Sequence, residues 1–136
     1  MIEQLKLLGK NCIILENNQK IYTSSAIGVK PLLDFEKSFG RRENIILIDK
    51  IVGKAAVLIA KKIGVIKIYT PIISEIALQY AKDLAIEVEY EIKVPYIKNR
   101  TNSGICPLEE SVLNISTIEE GYDSIIKTIQ KLMEDK

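Results

Sequence analysis

Apolar positions along this chain change period from segment to segment, and each period predicts an element. Residues 45–48 are continuously apolar, Ile-Ile-Leu-Ile, as a central strand covered on both faces requires. Asp49 and Lys50 interrupt the run where the strand meets a turn, and Gly53 and Lys54 then open a helix. That helix is too apolar for the surface, and Ala55, Ala56 and Ala60 permit close approach to the sheet. Lys61 and Lys62 lie in its last turn, where cations favour the carbonyl end of the dipole, and Gly64 suits the left-handed residue that stops it. Open α/β sheets carry their crevices at the carboxyl ends of strands, so a site is expected around residues 49–54.

The flanking segments extend the alternation. Ile2, Leu5 and Leu8 make the apolar face of a short first helix, and strands near 11–16 and 20–24 flank Asn17 and Asn18, which tolerate the positive φ of a tight hairpin. Residues 29–39 read as a helix with Pro31 in its first turn and Gly40 after its end. A second buried strand covers 65–69 and is closed by Thr70 and Pro71. Ile73, Ile76, Ala77, Tyr80, Ala81 and Leu84 then line one face of an amphipathic helix. Residues 86–91 alternate apolar and polar, which suits an edge strand wet on one side. After a polar segment, Cys106 and Pro107 start a short helix, and Ser116 with Glu119 forms a capping box for the last one. Ile118, Tyr122, Ile125, Ile129 and Leu132 keep helical spacing there. The expected fold is one α/β domain over 1–136, a three-layer α/β/α arrangement of a five-stranded mixed sheet with helices on both faces.

Composition narrows the chemistry. Histidine is absent, which excludes Ser-His-Asp catalysis, a His general base and imidazole metal ligands. A net charge of +1 gives no bulk attraction to nucleic acid or membrane. The charge-broken N-terminus is neither a signal peptide nor a spanning helix, so a cytoplasmic location is the expectation. The two cysteines do not make a disulfide framework, and Cys12 lies in an apolar strand and belongs to the core.

Three candidates carry chemistry. Gly53-Lys54 after a strand invites a P-loop reading, but Ile48 stands where that signature needs glycine and Ala55 where it needs Ser or Thr. Lys54 is either a solvated first-turn residue or a ligand-facing cation. The polar segment is long for a compact domain: Lys98 and Arg100 could hold an anion, and Asn99, Thr101, Asn102 and Ser103 could read a heterocycle or sugar. The competing reading is a solvated turn whose side chains satisfy their own backbone. Cys106 at a helix N-terminus could act as a thiolate, opposed by Glu109 and Glu110 in the same turn; a packed thiol is the commoner role. Lys54, Glu109 or Asp49 would have to serve as its base.

Together these pieces resemble the cytidine deaminase-like superfamily over nearly the whole chain. Zinc deaminases place His-x-Glu at one helix N-terminus and Pro-Cys-x-x-Cys at another. Here the first location reads Val52-Gly53-Lys54-Ala55-Ala56, and the second reads Ile105-Cys106-Pro107-Leu108-Glu109, with one cysteine and Glu109 in place of the other. A small uncharacterised prokaryotic family of that superfamily, one of the domains of unknown function, is more similar still. The shared motifs are residues 28–33, Asp49-Lys50 with Gly53 to Ala56, residues 94–100, and Gly104 with Cys106, Pro107 and Glu109. The resemblance implies the fold and a pocket between two helix N-termini, without the zinc apparatus.

The leading expectation is therefore a domain that binds a nucleoside- or nucleotide-like molecule, with no metal and no cofactor. Its ligand-binding candidates are Asp49, Lys50, Gly53, Lys54, Asn99, Arg100, Thr101, Ser103 and Gly104. An alternative is a zinc-independent enzyme using Cys106 as nucleophile, or Lys54 and Glu109 as acid and base. Another is an interaction or structural protein on a degenerate deaminase scaffold. A second copy of the chain is the one macromolecular partner envisaged; nucleic acid and membrane are not expected. Asp49, Gly53, Lys54, Arg100, Cys106 and Glu109 are expected to meet in one cleft.

Overall fold

A computed structural model of the chain describes residues 1–99, 101–115 and 117–134. In chain order its elements are α1 (Glu3–Leu8), β1 (Cys12–Glu16), β2 (Gln19–Ser24), α2 (Lys30–Phe39), β3 (Ile45–Asp49), β4 (Ile51–Val52) and α3 (Lys54–Ile63). They continue with β5 (Val65–Ser74), α4 (Glu75–Asp83), β6 (Glu87–Val94), α5 (Pro107–Ser111) and α6 (Ile118–Glu134). The six strands form one mixed sheet. β1 pairs antiparallel with β2 and β3, while β3, β4 and β6 run parallel to β5. Asn17 and Asn18 both adopt positive φ, 52° and 65°, and turn the opening hairpin as their chemistry suggests.

Three strand boundaries differ from the sequence expectation, the simplest being β6, which runs on to Val94 instead of ending at residue 91. Ile51 and Val52, expected to belong to a turn, form β4, which makes six strands instead of five. β4 nevertheless follows the track of β3: Ile48 pairs with Tyr69 and Ile51 with Ile72, so the register along β5 is unbroken across Lys50. β5 does not close at Pro71 but runs on to Ser74. Proline lacks a ladder donor. Pro71 is tolerated because it lies opposite the break between β3 and β4, and Thr70 Oγ1 bonds locally to both the carbonyl (2.9 Å) and the amide (3.3 Å) of Ile72. Ile73 is consequently a strand residue, and the following helix begins only after Ser74, its N-cap.

Helices cover the two faces unequally. On one face Leu5 of α1 packs on Ile13, Leu15 and Ile48. The other face carries the main core, built on Leu32 and Phe35 of α2, the apolar residues of α3, and Ala77 and Ala81 of α4. Every residue of α3 from Lys54 to Ala60 is buried, because α6 packs over its outer side. Gly121 permits that approach, since a Cβ there would stand 2.1 Å from Cδ1 of Leu58. The expected Ser116 capping box lies outside the described residues. Thr117 accepts a bond from the amide of Glu120 at 3.3 Å and caps α6 one position later. No helix among the described residues is long and apolar enough to cross a membrane.

Candidate functional site

Glu109 is the centre of the polar interior. Pro107 starts α5, and Glu109 in its first turn points inward with only 2% of its surface exposed. Its Oε2 accepts from the amide of Lys54 at 2.9 Å and from Ser74 Oγ at 2.7 Å; Oε1 accepts from the amide of Ile97 at 2.8 Å. One carboxylate thus joins the start of α3, the β5–α4 junction and the segment after β6. Gly53 has no side chain with which to cap α3, so Glu109 caps that helix from another element. The negative charge also complements the positive dipole ends of α3 and α4. A Cβ on Gly53 would lie 2.7 Å from Glu109 Oε2 and 3.2 Å from Ile97 Cγ1, so glycine is required by this close approach.

Lys54 is buried as well, and its ammonium turns away from the carboxylate. Nζ donates to the carbonyls of Leu113 (3.2 Å) and Ile115 (3.3 Å) and lies 4.8 Å from the Tyr80 ring centroid. These contacts hold the chain between α5 and α6 while leaving the cation partly desolvated. Burial therefore pushes its pKa below the ordinary lysine value.

Asp49 belongs to a different group. It pairs across the ladder with Cys12, and its Oδ1 accepts from the amide of Lys50 at 2.9 Å. Oδ2 is buried and has no hydrogen-bond partner among the described residues. Desolvation pushes its pKa up to about 8, offset only in part by the Lys50 bond. The Cys12 thiol is raised too, by burial first and the neighbouring carboxylate second. Lys50 itself is exposed.

The polar segment folds on itself. Lys98 bridges to Ile105, and the amide of Asn99 donates to the carbonyl of Gly104 at 2.9 Å. Asn99 Oδ1 accepts from the amide of Ser103 (3.0 Å) and from Thr101 Oγ1 (3.2 Å), and the Thr101 and Ser103 hydroxyls lie 2.7 Å apart. Asn102 takes positive φ at the tip. These are the bonds of a self-satisfied turn. Arg100 lies outside the described residues. Cys106, half-buried, precedes α5; its amide donates to the carbonyl of Ile97 at 2.7 Å.

The expected site residues thus fall into three groups. Gly53, Lys54 and Glu109 pack together, with Cys106 beside them in sequence; Asp49 and Lys50 adjoin Cys12; Asn99, Thr101, Ser103 and Gly104 bond within their own turn. Two surface depressions stand out, of about 540 and about 80 Å³. The larger lies between α4 and β6, the smaller near Arg41 and Lys61, and no expected site residue lines either. Among the described residues no three or more His, Cys, Asp or Glu side chains are grouped to hold a metal ion.

Sequence reading missed Ser74, Tyr80 and the carbonyls of Leu113 and Ile115. Ser74 had a signal, a serine just before Glu75 in a first turn, which fits an N-cap accepting from the amide of Ala77 at 3.1 Å. Its bond to Glu109, 35 residues away, had none.

The chain has a counterpart among known families. The TM1506 family model, described as a domain of unknown function (DUF1893), matches residues 1–130. The chain belongs to the DUF1893 family. A crystal structure of a DUF1893 family protein from Thermotoga maritima, TM1506, shares its fold at a TM-score of 0.82 and 25% sequence identity, covering 96% of this chain and 86% of that one. No curated protein matches the chain.

Proposed function

We propose that this DUF1893 chain is a non-catalytic module that acts through its surface, on a cytidine deaminase-like scaffold whose crevice is closed from within. The observation that supports this is the Glu109 carboxylate, which occupies the N-terminus of α3 and takes three donors of the chain itself. An anionic ligand seeking that helix terminus would meet a carboxylate already in place. Lys54, the cation that would recognise such a ligand, is spent on two backbone carbonyls. In the enzyme reading, Lys54 and Glu109 would act as acid and base. Both side chains are engaged in bonds within the chain. Apolar side chains instead reach the surface of β6, where Tyr90 is 41% and Ile92 56% exposed.

Calorimetric titration with a panel of nucleosides and nucleotides tests the reading, with no saturable heat expected. One-to-one binding of any member would overturn it. A second reading, a nucleoside-like ligand, has one observation in its favour: the unpartnered Oδ2 of Asp49 at the carboxyl end of β3, where open α/β sheets form crevices. In that case the titration would succeed and Asp49→Asn would weaken it.

A further inference from the structure

β6 pairs only with β5, so its outer edge faces no strand of the described residues. The depression of about 540 Å³ runs beside its first half, bordered by Leu78 and Lys82 of α4 and by Glu87, Val88 and Glu89. Period two divides β6 cleanly: Val88, Tyr90, Ile92 and Val94 face one way, and Glu87, Glu89, Glu91 and Lys93 the other. Edge strands that avoid association carry charges on both faces, bulges or prolines. This one keeps one wholly apolar face over its full length.

We infer that β6 pairs antiparallel with β6 of a second copy, about a two-fold axis at Glu91, joining the two sheets edge to edge. This deepens the surface-acting reading and rests on it. Directly opposed residues of an antiparallel pair share a face, so a symmetric pairing must be centred on a residue. Centring on Glu91 opposes Tyr90 to Ile92 and Val88 to Val94 of the second copy, so apolar side chains meet along the whole strand. On the other face it sets Glu89 against Lys93 twice, with one Glu91–Glu91 contact as the exception. Centring on Tyr90 instead opposes Glu89 to Glu91 twice, which offsets its two Glu87–Lys93 pairs. Centring on Ile92 sets Glu91 against Lys93 twice, but it shortens the paired stretch and carries Glu89 onto Pro95. The charge pattern and the length of the paired stretch together select this register. Lys67, 3.6 Å from Glu87 and 3.8 Å from Glu89, tempers the acidic face without blocking the edge.

Sedimentation equilibrium on the full chain, from micromolar to several hundred micromolar, tests the pairing. The wild type is expected to dimerise. Lys93→Glu or Glu89→Lys alone should weaken the dimer by about ten-fold, because each replaces two attractive pairs with repulsive ones. The double variant Glu89→Lys/Lys93→Glu should recover to within a few-fold of wild type. Glu91→Gln should tighten it, whereas pairing centred on Ile92 would be weakened by that change. All these positions are exposed, so circular dichroism and melting of the dilute protein should stay near wild type. A wild type that remains monomeric, or a double variant no better than the singles, overturns the inference. A monomer that also ignores the nucleotide panel leaves the surface-acting reading standing, while nucleotide binding removes that reading whatever the oligomeric state.

Discussion

Glu109 and Asp49 are both buried carboxylates near the ends of parallel strands, and the protein treats them in opposite ways. Glu109 has a donor on every side: two backbone amides and a serine hydroxyl within 2.9 Å. Asp49 has one amide and a bare second oxygen. Charge in a low-dielectric interior is tolerable only when hydrogen bonds replace water. The first carboxylate thus ties three elements together, whereas the second holds its proton up to about pH 8. Burial alone does not separate a structural anchor from a strained group. The number of aimed donors does.

The widest break in this contrast is Glu109→Ala. It strands the amides of Lys54 and Ile97 and the Ser74 hydroxyl together, and losing charge-assisted bonds of this kind should cost on the order of 4 kcal/mol. Chemical denaturation measures the loss, and hydrogen exchange should show the Lys54 and Ile97 amides opening first. Unchanged exchange at both would mean that Glu109 anchors neither element. Gly53→Ala follows, at roughly 2–3 kcal/mol, the upper part of the usual range for overpacking. The added methyl would push on a carboxylate that three bonds prevent from yielding. A melt within a degree of wild type would refute the close approach.

Asp49 sharpens the other side through pH. The unfolded chain releases this proton near 3.8, while the folded protein keeps it to about 8, so between those values the folded state binds more protons. Stability contributed by Asp49 is then greatest at the acid end and falls as pH rises through the window, by up to about 1.4 kcal/mol per unit. Asp49→Asn should flatten that slope when denaturation is followed from pH 5 to 8, and an identical slope in the variant would refute the assignment. The smallest effect is expected for Ser74→Ala, about 1 kcal/mol, because Glu109 retains its two amides while α4 loses its cap. Combined with Glu109→Ala it should add less than its own cost, since the two changes remove a shared bond. Full additivity in that double-mutant cycle would mean that Ser74 and Glu109 act independently.

Much of the architecture was legible because it depends on local periodicity. The hairpin follows from two asparagines that accept positive φ, and the buried helix from an unbroken apolar surface between Ala55 and Ala60. The β5 extension was hidden because Pro71 ordinarily ends a strand, and only its neighbour reveals that no donor is needed there. The candidate residues were legible as types but not as partners. Lys54 and Glu109 both drew notice from their places at helix starts, yet their bonds run to atoms 12 to 61 residues away.

The sequence by itself determined the α/β alternation and the order of the helices and of five of the six strands. These are set by periods of two and 3.6 residues and by turn chemistry, all of which act over a few neighbouring positions. Only the tertiary structure decided that Glu109 would cap α3, that Lys54 would hold the α5–α6 connection, and that Asp49 would keep an unpartnered oxygen. Hydrogen bonds require alignment within a few tenths of an ångström. Which donors reach a buried carboxylate is therefore fixed by how the helices seat on the sheet.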